Sequence, residues 1–314
     1  MIPIRFTPIY QQRIWGGREM QRCFGRDLPS DGQPYGESWE LVDREEAQSI
    51  VQGGDYHGLS LHELWMEHRD AIFGANAPDG PRFPLLVKIL DAREDLSLQV
   101  HPPAWLAADM GGEPKTEMWY VAEASAGATL AVGVRRGVNR EVFAEALAGG
   151  YAGDLVPRLT VQAGDAIFIP SGRLHAIGAG LVIFEIQQNS DTTYRVFDWN
   201  RPGLDGKPRT LHVEESLRCI DFSDNAPALL QAQEGTLVKC EFFKIAQYHL
   251  TGGETHTIGK EGSFSLLIIV SGTGAIGSEI AKAGDHLLLP AAMTDAARSY
   301  RADTPSVVLV VTFG

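Results

Sequence analysis

The chain has 314 residues, which exceeds the usual size of one domain, and its 34 Gly and 17 Pro favour many turns over a helical bundle. Its apolar and charged fractions, 44% and 21%, are typical of a globular protein and do not indicate disorder. The formal net charge of −13 disfavours non-specific binding to nucleic acid or anionic lipid, although a small anionic substrate can still bind in a locally basic pocket.

The cysteines and the apolar segments indicate a reduced, non-membrane protein. Cys23, Cys219 and Cys240 are odd in number and have no CxxC spacing, so we expect reduced structural thiols. The first 17 residues have Arg and Pro among their apolar positions and therefore do not resemble a signal peptide. The longest apolar run, 266–270, is far too short to cross a bilayer. We expect a cytoplasmic location.

Two segments have the periodicity of helices. Residues 59–74 show apolar positions at helical spacing, with Ser60 as a predicted N-cap and Gly74 as the end. A second, shorter helix is predicted to begin after Asn139 and to end at Gly149. Most other apolar runs are short and bounded by Gly, Pro or Asp, which predicts a mostly β protein.

An internal similarity predicts two copies of one β-unit. The segment AGDAIFIP at 163–170 matches AGDHLLLP at 283–290 in its Ala, Gly, Asp and Pro residues. His175 stands five residues after the first Pro, whereas Asp295 stands five residues after the second. We therefore expect the second copy to keep the scaffold without the chemistry, and we place the linker within 221–235.

Polar side chains share one face of each of two predicted strands. In SLQVHPP, which starts at Ser97, alternation places Ser97, Gln99 and His101 on the same side. In PKTEMWY, Lys115 and Glu117 likewise share a side. A half-buried strand with a hydrated outer face explains such a pattern equally well when each strand is taken alone.

Two imidazoles, a carboxylate and an amide oxygen would together suit a catalytic metal site. Gln99, His101, Glu117 and His175 form such a set, which fits Zn²⁺ with room for water or substrate and also suits Mn²⁺, Co²⁺ or Fe²⁺. The alternative is that these are ordinary hydrogen-bonded residues. We expect ordinary surface or core roles for the histidines elsewhere in the chain: His57, His62, His68, His212, His249, His256 and His286.

Several segments together carry a family resemblance. They read PLLVKILDAREDLSLQVHPP, PKTEMWYV and PSGRLHAIGAGLVIFEIQQNSDTTYRVFDWNR, with RIWGG and YGESWELVD near the start. This combination resembles the type I mannose-6-phosphate isomerases, also called phosphomannose isomerases, in their shorter bacterial form. The resemblance covers essentially the whole chain; it is strongest over 84–201 and weakest after 225.

The resemblance implies a fold of two cupin (jelly-roll) β-barrels. Residues 1–225 would form the catalytic cupin domain, with a helical insertion at about 58–75, and residues 226–314 a degenerate cupin domain. It also implies one Zn²⁺ per chain on the four residues chosen above. One departure is Pro114, where the family is expected to have Gly before Lys-Thr-Glu; this would stiffen the loop and leave the ligand Glu117 unchanged.

The resemblance also implies roles for individual residues. Arg195 matches the family's essential arginine, Lys115 and Glu185 match active-site positions, and Ser97 matches a serine that lines the pocket. The alternatives stay open: Glu185 as a buried structural partner of Arg195 or Lys115, and Arg195 as a surface residue at a strand edge.

The activity implied is the reversible conversion of mannose 6-phosphate into fructose 6-phosphate through an enediol(ate). Lys88 and Arg209 are candidate phosphate contacts, with a solvated role as the alternative. The expected partner is a small phosphosugar, with no nucleic acid and no membrane, and the protein is expected to be a monomer or homodimer. Two other classes remain: a non-catalytic metal-containing sugar sensor, and a cupin of other chemistry such as an iron dioxygenase. Gln99 as a fourth ligand fits the dioxygenase less well.

Overall fold

The computed structural model describes residues 1–203, 206–225, 227–231, 233 and 235–314. Over these residues, strands far outnumber helices, as the sequence predicts. The six α-helices of the described ranges are all short, and two 3₁₀ turns follow α4 and α5. No helix within the described ranges is long and apolar enough to span a membrane. The helices are α1 Glu19–Phe24, α2 Leu61–Glu67, α3 Arg69–Ile72, α4 Ala104–Ala107, α5 Arg140–Gly149 and α6 Val213–Cys219, and the turns are Ala108–Met110 and Ala152–Leu155.

The strands fall into an N-terminal and a C-terminal group. The N-terminal strands are β1 Arg5–Phe6, β2 Ile9–Gly17, β3 Tyr35–Leu41, β4 Val51–Gln52, β5 Leu85–Ala92, β6 Leu98–Val100, β7 Glu117–Ala124, β8 Thr129–Val132, β9 Arg158–Thr160, β10 Ala166–Ile169, β11 His175–Ile177, β12 Leu181–Gln188 and β13 Tyr194–Phe197. The C-terminal strands are β14 Thr236–Lys239, β15 Phe243–Leu250, β16 Thr255–Thr257, β17 Ser265–Ser271, β18 Thr273–Ile276, β19 Glu279–Lys282, β20 His286–Leu289, β21 Ser299–Ala302 and β22 Ser306–Phe313. Every strand pairing within the described residues is antiparallel.

The two predicted helices form with their predicted caps. Ser60 Oγ accepts a hydrogen bond from the backbone N–H of Glu63, while the Glu63 carboxylate accepts one from the N–H of Ser60, which is a complete capping box. Contrary to the single helix predicted over 59–74, the structure has two, because the backbone of His68 leaves the helical region at φ −121° and ψ 23°. The Asn139 side chain caps α5 by accepting a hydrogen bond from the third residue after it.

Each half of the chain forms a pair of facing sheets. The first half has a six-stranded sheet in the order β10-β7-β12-β5-β2-β3 and a five-stranded sheet in the order β13-β6-β11-β8-β9. Leu90, Trp119 and Ile183 of the larger sheet pack in one core with Leu130 and Ile177 of the smaller. This is the sandwich that a cupin barrel requires.

The second half repeats this arrangement. Its sheets have the orders β14-β15-β22-β17-β20 and β16-β21-β18-β19. Leu267, Leu287 and Val308 of the first pack in a second interior with Ile276 and Tyr300 of the other. The predicted fold, mostly β with two cupin barrels and a small helical segment, is confirmed.

The two barrels pack back to back through their larger sheets. Ile89 and Phe184 of one sheet share a core cluster with Ile268 and Leu309 of the other. The predicted division into 1–225 and 226–314 stays a proposal, since residue 226 lies outside the described residues. The shared cluster shows that both halves contribute to one continuous apolar core.

The predicted repeat has the same register in both barrels. Ile169 at the end of β10 pairs with Glu117 of β7, and Leu289 at the end of β20 pairs with Ser265 of β17. The second barrel therefore has a serine at the position where the first has the candidate carboxylate ligand. This loss of a donor agrees with the expectation that the second copy lacks the chemistry.

The counterpart of His175 is an arginine. Asp295, which the repeat spacing suggested, accepts a hydrogen bond from a loop N–H instead. Arg298 directly precedes β21, the strand that corresponds to β11, and its guanidinium donates to Ser265 Oγ at 3.4 Å. The fully buried Arg298 also donates to four backbone carbonyls, those of Ile258, Ser263, Pro290 and Met293.

Candidate active site

Strand β6 places three of the predicted residues side by side. Gln99 is the backbone partner of His175 in β11 on one side and of Arg195 in β13 on the other. Ser97 and Gln99 both line one cavity, as the period-two alternation predicts. The pairing of strands distant in sequence thus brings together Gln99, His175 and Arg195.

Three of the four predicted metal ligands converge beside this strand. His101, Glu117 and His175 have no exposed surface. The Nε2 atoms of His101 and His175 lie 3.6 and 3.5 Å from Oε1 of Glu117, and the two rings are 4.7 Å apart. One donor atom from each residue lies within 4.8 Å of the other two. Gln99 stands next to His175 in the sheet, and its role as a fourth ligand stays a prediction.

The tautomers of both imidazoles are set by backbone carbonyls. Nδ1 of His101 lies 2.9 Å from the oxygen of Thr192, and Nδ1 of His175 lies 2.8 Å from that of Arg173. Because a carbonyl only accepts, Nδ1 carries the proton and Nε2 keeps its lone pair. Both lone pairs therefore point toward Glu117.

These converging atoms fit a divalent cation. Both Nε2 atoms and Oε1 of Glu117 are buried, and none has a hydrogen-bond partner among the described residues. Burial and the neighbouring His101 ring lower the pKa of His175 to about 3, so the ring is neutral at physiological pH. Burial and Lys115 lower the pKa of His101 as well. Two neutral imidazoles and one carboxylate oxygen without a hydrogen-bond partner are suitable ligands for Zn²⁺.

Lys115 provides a fixed positive charge beside the candidate metal ligands. Its Nζ lies 2.8 Å from Oε2 of Glu117 and 3.9 Å from Oε1 of Glu185. Burial alone would lower the pKa of Lys115, but these two carboxylates outweigh it and raise the pKa. Burial would raise the pKa of Glu117, yet Lys115 and His101 hold it well below its usual value. Both groups are therefore charged at neutral pH.

A polar cavity of about 410 Å³ lies beside the candidate metal site and is lined by Gln99 and by Lys115, the partner of Glu117. Ser97, Gln99, Lys115, Glu185 and Arg195, all predicted from the sequence, line it. The candidate phosphate contacts Lys88 and Arg209 also line it. The wall also contains residues that were not predicted as site residues: Arg13, Trp15, Glu37, Leu90, Leu96, Ile177, Asp191 and Thr193.

Glu185 is a buried carboxyl between two lysines. Its Oε1 accepts a hydrogen bond from the Trp119 indole at 3.0 Å, and its Oε2 lies 3.6 Å from Nζ of Lys88. Burial raises the pKa of Glu185 to about 7 even though Lys115 and Lys88 act in the opposite direction. Of the two pairings left open by the sequence, the structure has the one with Lys115.

Arg195 and Arg209 make the β13 side of the cavity electropositive. Arg195 donates from Nη1 to the oxygen of Thr210 at 2.8 Å, while its buried Nε has no partner among the described residues. Burial and the nearby Arg209 lower the pKa of Arg195. Arg209 binds both carboxylate oxygens of Asp198 at 2.6 Å. Arg195 is partly buried on the edge strand β13 and lines the cavity, and its role in the site stays a prediction.

A larger cavity, about 560 Å³, lies elsewhere in the first barrel. Its buried polar group is Asp91, which accepts a hydrogen bond from the N–H of Met20 and so fixes the start of α1. The His-Glu-His group, the only such cluster found among the described residues, lines neither cavity, but Lys115, which contacts Glu117 at 2.8 Å, lines only the smaller one. The chemistry therefore belongs to the smaller cavity.

Comparisons with known proteins agree with this geometry. A family described as phosphomannose isomerase type I, catalytic domain, matches residues 4–117. Mannose-6-phosphate isomerase ManA of Bacillus subtilis is 37% identical over 301 residues, which cover 92% of this chain and 93% of that protein. Mannose-6-phosphate isomerase of Streptococcus mutans is 38% identical over 299 residues, 92% of each chain. The crystal structure of mannose 6-phosphate isomerase from Bacillus subtilis matches the whole of both chains with a TM-score of 0.87 and 30% identity. The chain belongs to the type I phosphomannose isomerase family.

Proposed function

We propose that the protein interconverts D-mannose 6-phosphate and D-fructose 6-phosphate through an enediol(ate), with one Zn²⁺ held by Gln99, His101, Glu117 and His175. The observation that carries this proposal is the convergence of three buried, unpaired donor atoms beside a cavity that also contains a lysine and a carboxyl. The relatives named mannose-6-phosphate isomerase support the substrate.

The reaction makes two chemical demands on the site. A proton must be removed from C2 and returned at C1, and this proton is very weakly acidic. A second proton must move between the two sugar oxygens. The site therefore needs a general base near the two carbons and positive charge near the two oxygens.

The metal site would meet the second demand in part. A divalent ion bound there supplies Lewis-acid stabilisation of negative charge on the sugar oxygens. The hydrogen bonds from His101 to the Thr192 carbonyl and from His175 to the Arg173 carbonyl keep both Nε2 lone pairs directed to one point. Native Mn²⁺, Co²⁺ or Fe²⁺ would suit the same ligands.

Glu185 is the proposed general base. Its carboxyl lines the cavity, and a pKa of about 7 leaves much of it ionised at neutral pH while its conjugate acid can still return the proton. The Trp119 indole holds Oε1 in place, and Lys88 approaches Oε2. The carboxyl is therefore held in one orientation at the cavity wall.

Lys115 and Arg195 are the proposed electrostatic partners of the sugar oxygens. Lys115 stays charged next to Glu117 and is only 4% exposed, so water screens its charge less than it would at the surface. Arg195 has an unpaired buried Nε and stands beside Gln99. We assign Arg195 to stabilising the enediolate or moving the proton between the oxygens, and Ser97 to the substrate-binding wall.

The phosphate would lie on the side of Arg195 and Arg209. Lys88 is a poor phosphate ligand, since Glu37, Glu185 and Asp191 all lie within 3.7 Å of its Nζ and would repel a dianion. The two guanidiniums form the opposite, electropositive part of the wall. Arginine also suits the geometry of phosphate.

The two other classes make different predictions. A sugar sensor would bind phosphosugar without turnover, and a dioxygenase would need oxygen and two open metal positions. The buried Lys115 and Glu185 favour the isomerase, because neither alternative requires this acid-base pair. We also propose that the protein is cytoplasmic, that it is a monomer or homodimer, and that its two domains divide at residue 225.

The test is a coupled assay of fructose 6-phosphate formation by the metal-loaded protein. We expect turnover of mannose 6-phosphate at about 10 s⁻¹, a typical enzymatic rate. Unphosphorylated mannose should react far more slowly, and glucose 6-phosphate, the C2 epimer, is the matched stereochemical control. Binding of mannose 6-phosphate without any product would overturn the proposal and support the sensor.

A further inference from the structure

Arg13 stands at the edge of the cavity and is bound to a carboxylate in its wall. Its Nε and Nη2 donate to Oε1 and Oε2 of Glu37 at 2.9 and 3.1 Å, and its Nη1 donates to the carbonyl of Gln12 at 3.1 Å. The Arg13 side chain is 30% exposed and that of Glu37 11%. All three nitrogens of the guanidinium are thus engaged by protein groups.

Glu37 is strongly held as a carboxylate. Its Oε2 also accepts a hydrogen bond from the Trp39 indole at 2.6 Å and lies 3.6 Å from Nζ of Lys88. Burial would raise its pKa, but Lys88 and Arg13 outweigh that effect and lower the pKa to about 2. Glu37 therefore keeps a full negative charge beside Lys88.

Lys88 is shared by three carboxylates. Its Nζ lies 3.6 Å from Glu37, 3.6 Å from Glu185 and 3.7 Å from Asp191, and 4.9 Å from the centre of the Trp39 ring. These near-equal distances leave the ammonium centred between the carboxylates. Without Arg13, the buried negative charge of Glu37 would be less compensated. It would then draw Lys88 toward Glu37 and away from Glu185.

We propose that Arg13 is a positioning residue of the isomerase site: by binding both oxygens of Glu37, it keeps Lys88 centred beside Glu185. Arg13 acts through Glu37 and does not itself contact the sugar or its phosphate. This inference rests on the proposed function, since it assumes that Glu185 exchanges the proton.

A double-mutant cycle tests this chain of contacts. We expect Arg13→Gln to lower kcat about 10- to 100-fold, the range expected when a reacting group is displaced, with little change in KM. In the Glu37→Gln background, Arg13→Gln should change kcat less than about twofold, because the carboxylate that Arg13 neutralises is no longer present. Arg13→Lys should recover part of the loss, since an ammonium neutralises Glu37 without the bidentate geometry.

The matched control is Arg22→Gln. Arg22 is 63% exposed, pairs with Glu19 and lies outside this cavity, so its variant should keep wild-type kinetics. Thermal unfolding monitors the folded state of each protein. If Arg13→Gln is unstable, Arg13→Lys and the double variant Arg13→Gln/Glu37→Gln still test the proposal. Arg13→Lys keeps a cation beside Glu37, and the double variant removes the Glu37 charge.

Three results would overturn the inference. A wild-type kcat in Arg13→Gln would show that Arg13 does not position Lys88 for catalysis, while leaving the proposed function intact. An equal rise in KM in both backgrounds would identify Arg13 as a phosphate contact. A wild-type protein without turnover would overturn the proposed function, and the role of Arg13 with it.

Discussion

The chemistry of individual side chains is decided by what each one touches. His101 and His249 are both histidines on or next to strands, but only His101 is fully buried with its Nδ1 on a carbonyl and its Nε2 facing a carboxylate. His249 is exposed. Metal binding should therefore depend on buried histidines such as His101 and not on exposed histidines such as His249.

Replacing His175 by Ala should remove the metal. The change deletes one of three converging donors, so we expect the purified protein to lose most of its bound Zn²⁺ and kcat to fall more than about 100-fold. Elemental analysis and the coupled assay measure both effects. His249→Ala is the control and should keep metal and activity; a fully metallated His175→Ala protein would contradict the ligand assignment.

Replacing Glu185 by Gln tests the general base. In the wild type, kcat should rise with pH through about 7, because the base form of Glu185 accumulates as its carboxyl loses its proton. The Gln variant should have kcat about 10²- to 10⁴-fold lower and no rising limb. The pH profile of kcat checks this. An unchanged rising limb in an active variant would assign the base to another group.

Sequence alternation grouped some of the candidate site residues but missed the ionic surroundings of the site. Gln99 and His101 could be placed on one side because they are two residues apart in one predicted strand. Arg13 and Glu37 stand on the neighbouring strands β2 and β3, and only the sheet pairing brings Glu37 to Lys88. Both lie in quoted motifs, RIWGG and YGESWELVD, but no local spacing shows which charge faces which.

At the scale of elements, the strands of the large sheet use both of their faces. On β7 and β12, Trp119 and Glu185 face the interior of the first barrel, while Tyr120 and Phe184 belong to the core between the barrels. This explains why LVIFEIQQ is almost continuously apolar: both faces are buried, so the one charged residue stands out. A carboxylate in such a strand is a strong signal of function.

The repeat predicted the scaffold of the second barrel correctly but not the counterpart of His175. The loop after Pro290 is longer than the loop after Pro170, so counting five residues ends at Asp295 and not at Arg298. Loop length varies freely between repeats, whereas the strand register does not. The pairing of Leu289 with Ser265 keeps the register of the first barrel and places Arg298, which binds Ser265, at the position that corresponds to His175 in the repeat.

Arg298 should contribute strongly to the stability of the second barrel. Arg298→Met keeps a chain of similar length but leaves four carbonyls and one hydroxyl without their donor, so we expect a loss of about 3 kcal/mol or more in the free energy of unfolding. Denaturant unfolding measures this loss. Arg301→Met, at a side chain that is 64% exposed, is the control. A loss below about 1 kcal/mol would contradict a structural role for Arg298.

At the scale of the whole molecule, the two barrels depend on each other. The helical segment after residue 58 packs Phe73 against Phe264 of the second barrel, and Phe264 stacks on Phe313 at 4.7 Å. The N-terminal Ile4 bridges to Leu288 of β20. The helical segment and the N-terminal residue Ile4 thus both contact the second barrel.

A fragment that ends at residue 225 should therefore not fold alone. Removing the second barrel would expose the sheet face that bears Ile89 and Phe184, and we expect aggregation on expression. The full chain should unfold in one cooperative transition, as followed by calorimetry and circular dichroism. A soluble, cooperatively unfolding and active fragment would instead support two independent domains.

The most direct test of the central claim is the turnover of mannose 6-phosphate by the metal-stripped protein, before and after Zn²⁺ is added. We expect no turnover after chelation and recovery of the original rate at one Zn²⁺ per chain, because one barrel has the converging ligands and the other has Arg298. Undiminished turnover by protein shown to be free of metal would contradict the claim.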